Sequence, residues 1–251
     1  MSTAAPSLSK VPEATLVFWL IKIAATTLGE TGGDAVSMSM NLGYLTGTII
    51  FSVIFAIAVS AQISTKRFHP FVYWATIIAT TTVGTTLADF VDRSLGIGYP
   101  GGVVLLSTLL GASIYIWYRK MGTISIDSVS NPRAETFYWV TIMFSQTLGT
   151  ALGDWTADTA GLGYAGGAMI FGAALLVILA LYLWSNVSRT GLFWAAFILT
   201  RPLGAVVGDF LDKPVSAGGL ALSRYSASAA LLVFVIGAIL VFKQRPAATP
   251  H

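Results

Sequence analysis

Seven ionisable residues lie within stretches of chain that are otherwise strongly apolar. Five are acids, Glu30, Asp34, Asp89, Asp154 and Asp209, and two are bases, Lys22 and Arg201. A carboxylate inside a bilayer costs a few kcal/mol or more, and such residues as a rule face a bundle interior or a cavity. Gathered carboxylates can do two kinds of chemistry there. They can ligate a cation through oxygen alone, which suits a hard ion such as Mg2+ or Mn2+. They can also relay a proton. Five acids against two bases leave a formal charge of −3. Like charges this close do not all stay ionised, so protons or a bound cation must neutralise part of it. Glu30, Asp34, Asp89, Asp154 and Asp209 are therefore read as ion-binding, metal-ligating or proton-relay residues, with Lys22 and Arg201 as counter-charges.

Other chemistries lack their residues. There is no cysteine, and the only histidines are His69 and His251. This excludes thiolate nucleophiles and disulfides and leaves no His-based metal site. Gly96, Gly98 and Gly101 match G-x-G-x-x-G, as do Gly161, Gly163 and Gly166. No strand precedes either match, so both read as turns and not as nucleotide sites. Phosphate-loop, nucleophile-elbow and HExxH motifs are missing. No cofactor and no enzymatic activity are expected.

The aspartates recur with a fixed pattern, W-x9-G-x4-D-x8-G. Its four copies begin at Trp19, Trp74, Trp139 and Trp194. Each contains a glycine, an aspartate and a closing glycine: Gly29, Asp34, Gly43; Gly84, Asp89, Gly98; Gly149, Asp154, Gly163; Gly204, Asp209, Gly218. The longer spacing between the second and third copies comes from an insertion around residues 121–133, so the chain reads as two halves of two repeats. Small-xxx-small pairs, Gly29/Gly33, Gly84/Ala88, Gly149/Gly153 and Gly204/Gly208, allow membrane helices to approach closely. With Trp19 as origin and about 100° per residue, Lys22, Thr26, Gly29, Glu30, Gly33 and Asp34 share one sector roughly 140° wide. Packing through these faces would bring the aspartates together about a common axis. The competing arrangement leaves them wet at the helix ends, about 22 Å along the helix from the tryptophans. The fourth copy differs, with Arg201-Pro202 in place of Thr26-Thr27, Thr81-Thr82 and Gln146-Thr147. Pro202 is expected to kink or break its helix and expose carbonyls to a site. The tryptophans read as cytoplasmic-side lipid anchors.

These residues require membrane helices to hold them. Of 251 residues, 55% are hydrophobic and only 10% charged, and mean hydropathy is +0.77. A soluble domain carries about 25% charged residues, so a soluble enzyme and a disordered chain are both excluded. The net charge of +3 is too small to argue for nucleic acid. Eight apolar spans are read, at 15–34, 45–63, 70–89, 103–118, 136–154, 168–184, 191–209 and 225–242. The first is too long for a signal-peptide core and is expected to be retained. The repeats run over 14–63, 70–118, 135–184 and 191–242 in a single membrane domain, with short cytoplasmic tails at 1–12 and 243–251. Two spans per unit predict four parallel repeats about an axis near the membrane normal, in contrast to inverted repeats. Nine lysines and arginines fall at the termini and between units, against three (Arg93, Lys213, Arg224) within units. The positive-inside rule then sets both termini in the cytoplasm.

The repeated FW or YW opening with TTxG…D closing resembles a family of bacterial multi-pass membrane proteins built from a short repeat of unassigned function. The segments KVPEATLVFWLIKIAATTLGETGGD and TRPLGAVVGDFLDKPVSAGGL carry the resemblance most fully. It implies a bacterial cytoplasmic membrane and no particular activity. The residues themselves point to transport of a small cation, a divalent metal or a proton-coupled ion, between the odd-numbered helices. The alternative is a membrane scaffold or sensor whose charges lock helices together. Beyond the lipid bilayer and this cation no partner is indicated, and the oligomeric state stays open.

Overall fold

The protein, described here over residues 9–248 of a computed structural model, is a bundle of eight helices with no strand among those residues. They are α1 (Leu16–Asp34), α2 (Tyr44–Ser64), α3 (Pro70–Asp89), α4 (Gly98–Met121), α5 (Pro132–Asp154), α6 (Gly163–Trp184), α7 (Arg189–Asp212) and α8 (Arg224–Val241). Thr15, Asn131 and Ser188 cap α1, α5 and α7 by accepting from the amides of Phe18, Ala134 and Gly191. Pro70 and Pro132 open α3 and α5, at a position where the missing N–H is no loss.

The odd helices form a closed inner ring, α1 against α3, α3 against α5, α5 against α7, and α7 back against α1. The even helices lie outside it. Each leans on the odd helix of the following repeat: α2 on α3, α4 on α5, α6 on α7 and α8 on α1. The packing pairs therefore cross the repeat boundaries, and α8 closes the circle on α1. Composition explains the two layers. The outer helices present Ile49, Val53, Ile57, Val104, Leu176, Val233 and Leu240 outward, as contact with lipid tails requires. Six helices are long and apolar enough to cross a membrane, among them α3 and α7 of the ring. α1 and α5 are more polar because Lys22, Glu30, Ser145 and Gln146 point into the bundle, where all four are buried. The molecule is a multi-pass membrane protein.

Each signature position of the repeat has a structural task. The first glycine admits the next ring helix: a Cβ on Gly29 would strike Thr81, on Gly84 Gln146, on Gly149 Arg201 and Pro202, and on Gly204 Thr26. The last glycine has positive φ in every copy, 76° at Gly43, 72° at Gly98, 64° at Gly163 and 86° at Gly218, a conformation that glycine adopts without a Cβ penalty; the first three open α2, α4 and α6, while Gly218 ends a 3-10 turn ahead of α8. Gly33, Gly153 and Gly208 likewise lie against Thr85, Ala205 and Glu30.

The tryptophans do not act as lipid anchors. Trp74, Trp139 and Trp194 are buried, and Trp19 is partly so. Each meets the aromatic residue that precedes the tryptophan of the previous repeat: Phe18–Trp74 at 5.3 Å, Tyr73–Trp139 at 5.7 Å, Tyr138–Trp194 at 6.1 Å and Phe193–Trp19 at 5.6 Å. Tyr73 and Tyr138 share a hydrogen bond of 2.6 Å. Interior aromatic packing of this kind adds to area burial, and it seals this end of the ring.

Beneath that seal the three segments outside the repeats come together. The amide of Lys10 donates to Val129, that of Glu13 to Arg245 and that of Ala247 to Val11. Val11, Ile126, Val129 and Ala247 are buried in the aromatic core. Lys10 Nζ lies 2.6 Å from Glu135 and donates to the terminal carbonyls of α2 at Ile63 and Thr65. Trp74 and Trp194 donate from Nε1 to Gln244 Oε1 and to the Ile124 carbonyl. Of the expected tails, 1–8 and 249–251 lie outside the described residues. The parts at 9–12 and 244–247 belong to this plug, as does the insertion between the two halves.

Pro202 does not break its helix. α7 runs continuously through it from Arg189 to Asp212. A single proline removes one hydrogen bond while the flanking turns keep theirs, and here the ring packs against Gly149, where there is no side chain. The symmetry is broken elsewhere. α1, α3 and α5 each continue past the repeated aspartate as one π-helical turn (Ala35–Ser39, Phe90–Ser94, Trp155–Thr159), while α7 stays α-helical to Asp212.

Candidate functional site: an axial column of charge

The inward faces of the ring helices build a column of tiers, each with one residue from every repeat. Asp34, Asp89, Asp154 and Asp209 form the tier at the helix ends and are only 1–3% exposed. They do not splay into solvent. Two cations hold them in pairs. Arg93 bridges Asp89 and Asp154, at 2.9 and 3.1 Å. Lys213 bridges Asp209 and Asp34, at 2.9 and 2.5 Å. Arg93 and Lys213 each stand four residues after their own aspartate, so an i,i+4 contact forms within the helix extension and the second arm reaches the neighbouring repeat. The equivalent positions in the other two repeats are Met38 and Asp158, which makes the pairing two-fold. Arg224 sits 2.9 Å from Asp212 and 3.8 Å from Asp34. All three basic residues at this end are thus matched by acids. Lys213 lies just beyond α7. Burial works against its charge, but Asp209, Asp34 and Asp212 outweigh it and hold its proton above the ordinary lysine range.

One turn deeper the tier is Glu30, Thr85, Thr150 and Ala205. Arg201, itself 0% exposed, reaches up into it. Its Nη2 lies 2.8 Å from Glu30 Oε2 and 2.6 Å from Thr85 Oγ1 and also meets Thr150 Oγ1, so its two N–H groups are shared among three acceptors. Three repeats thus supply acceptors to one guanidinium from the fourth. Gly149 makes the passage possible, since a side chain there would occupy the space of Arg201 Cβ and Cγ. Arg201, expected as a counter-charge, pairs with Glu30 and with no aspartate among the described residues.

The next tier is Thr26, Thr81, Gln146 and Arg201. Gln146 has neither amide atom hydrogen-bonded among the described residues, and Thr81 Oγ1, Ser145 Oγ, Arg201 Nε and Arg201 Nη1 are also without partners. Below it Lys22 stands among Ile77, Ile142 and Phe197, all fully buried. Among the described residues Lys22 has no carboxylate within ion-pair distance, and the acids it is expected to balance stand higher in the column. Its Nζ lies 4.1 Å from the centre of the Phe197 ring and 3.4 Å from Thr200 Oγ1. Its stem does not snorkel to the surface, because the aromatic tiers close that route.

Among the acids, Glu30, Asp34 and Asp209 each offer one oxygen within 4.8 Å of the others. Asp34 Oδ1 has no hydrogen-bond partner among the described residues. This is the part of the cluster with a cation ligand set, and it is built from oxygen only. A groove of about 530 Å³ between α1, α6 and α7 runs along the outer wall past Leu16, Trp19 and Leu179, away from these acids. Arg93 and Lys213 were not singled out from the sequence. The available signal was a base four residues after the repeated aspartate.

A family model described as a Repeat of Unknown Function (DUF347) matches residues 17–68, 72–123, 137–188 and 192–246. No curated protein and no solved structure matches the chain. The chain belongs to the DUF347 family and consists of four tandem copies of its repeat.

Proposed function

We propose that this DUF347 protein carries a small cation across a bacterial cytoplasmic membrane, through the carboxylate cluster at one end of the inner ring. In this reading all eight helices cross the bilayer, both termini are cytoplasmic, and the acids face the opposite side. No catalytic role is assigned. The observation that carries the proposal is the column itself: buried polar side chains facing the axis, four in the aspartate tier, three in the Glu30 tier, four in the Arg201 tier and Lys22 alone below them, about 18 Å by helical rise. Helices held only by packing need none of these groups, each of which costs free energy in a membrane. A purely structural cluster is also expected to be fully paired, and Gln146, Ser145 and Thr81 are not.

The charge count narrows the cargo. Six carboxylates, the five acids and Asp212, touch four cations, Arg93, Arg201, Lys213 and Arg224, so the cluster carries a formal −2. In a low-dielectric interior this is balanced by one divalent ion or by two protons. Exchange of a hard divalent ion such as Mn2+ or Mg2+ for two protons keeps the site neutral in both states. Glu30, Asp34 and Asp209 would be the ligands. The test is a cation-uptake screen with purified protein in proteoliposomes, reading Mn2+ or Mg2+ and internal pH together. Asp209→Asn and Asp34→Asn are expected to abolish uptake while the protein stays folded. Unchanged flux in all four Asp→Asn proteins would remove these side chains from the ion path.

One observation favours a second reading, a scaffold or sensor with a structural charge cluster. Every one of the five carboxylates contacts a base. That reading expects no flux of any cation and a loss of stability in each of the same variants.

A further inference from the structure

The groove of about 530 Å³ between α1, α6 and α7 lies at the seam where the fourth repeat meets the first. Its floor is α7, where Leu192, Ala196 and Thr200 recur every fourth residue and are buried. α1 forms one wall with Leu16, Trp19 and Ile23. α6 forms the other, and its Leu176 and Leu179 are exposed, as is Leu16, so the groove is open to the membrane. Its mouth lies at the starts of α1 and α7, beside Glu13 and Arg189. From Arg189 to Thr200 the floor runs about 16 Å by helical rise. A hydrocarbon core about 30 Å thick gives each leaflet about half of that, so the groove has the length of one acyl chain. The mouth is basic. The Arg189 guanidinium lies 4.4 Å from the centre of the Tyr182 ring and donates to the Tyr182 carbonyl. A smaller hollow of about 310 Å³ adjoins the groove at Glu13 and Thr15, which line both, and adds Lys243 and Arg245. Three bases against one acid, with none of the four in an ion pair among the described residues, leave a positive surplus at the polar end of an apolar groove.

We propose that an anionic glycerophospholipid binds at this seam, with one acyl chain laid along the groove to the depth of Thr200 and its phosphate against the Arg189 guanidinium. Basic pockets between membrane helices suit anionic headgroups, and a guanidinium matches the geometry of a phosphate. Lys243 and Arg245 stand next to the mouth and favour a headgroup of net negative charge over a zwitterionic one. The site does not rest on the cation proposal, because it uses no group of the axial column's acid tiers.

The experiment measures lipid binding and involves no flux, so its failure and that of the transport reading are distinguishable. The full-length protein in detergent is offered phosphatidylglycerol or phosphatidylcholine carrying the same dioleoyl chains. Native mass spectrometry counts the lipid retained, and melting is recorded in parallel. The expected result is one phosphatidylglycerol held per chain in preference to phosphatidylcholine, with a melting temperature that rises to saturation, as for a ligand bound only to the folded state. Arg189→Gln is expected to weaken phosphatidylglycerol binding about tenfold, the loss of one hydrogen bond to an ion. Ala196→Phe fills the floor of the groove and is expected to abolish retention. If Ala196→Phe does not fold, Leu179→Trp narrows the groove from its exposed wall and takes its place. Arg119→Gln removes a base that is likewise stacked on a tyrosine, 5.9 Å from the centre of the Tyr115 ring, but lies outside the groove, and it should change nothing. Equal retention of the two lipids overturns the inference. So does a loss in Arg119→Gln as large as that in Arg189→Gln, which marks general surface attraction, or full retention in the groove-filling variant.

Discussion

At the scale of residues, the column is governed by who neutralises whom. Arg201 and Glu30 are both buried and paired at 2.8 Å, so removing one strands the other. Arg201→Met should cost about 3–5 kcal/mol, read from unfolding in detergent. The double variant Arg201→Met/Glu30→Gln should recover most of that loss, because no charge is then left uncompensated. A double variant no more stable than the single one would mean that the guanidinium acts through packing. Lys213 behaves differently toward pH. Its proton is held above the ordinary lysine value by three aspartates, so the stability it supplies is fully present below that value and lost only as pH rises through the raised one. Chemical denaturation between pH 7 and pH 9 should therefore show no loss traceable to Lys213, checked by comparison with Lys213→Met.

At the scale of elements, the ring depends on close approach at one glycine per helix. Gly149 faces the stem of Arg201 and the ring of Pro202. Gly149→Ala should destabilise by about 1–3 kcal/mol through overpacking. Gly172, on α6, has open space where a Cβ would go, and Gly172→Ala should be neutral or slightly stabilising. Thermal unfolding of the two proteins in the same detergent checks both outcomes. The two-span repeat, the inward sector and the need for small residues were legible in the sequence because helical periodicity and spacing are local properties. The neighbour of each helix was not. Nothing in the chain says that α2 packs on α3 instead of α1, or that Pro202 is accommodated by a glycine from another repeat.

At the scale of the whole molecule, the circle is closed twice, by α8 on α1 and by the plug that joins residues near both ends to the central linker. A circular permutant that links the present ends and opens between Lys66 and Arg67 keeps all of these contacts. It should fold to a monodisperse protein with near-wild-type melting. One opened within 124–129 cuts the segment that accepts from Lys10 and Trp194 and should melt well below it. Equal behaviour of the two permutants would mean that the plug adds little.

The sequence alone determined that this is a membrane protein of four like units, with acids at one common position in each. Composition and periodicity report burial in lipid and the direction of a helical face, and both survive without coordinates. Only the tertiary structure decided which charges meet. Arg93, Lys213 and Arg201 find their acids across repeat boundaries, Lys22 finds none among the described residues, and the tryptophans turn inward to seal the ring. These outcomes depend on how the helices close around an axis, a long-range geometry that no local spacing specifies.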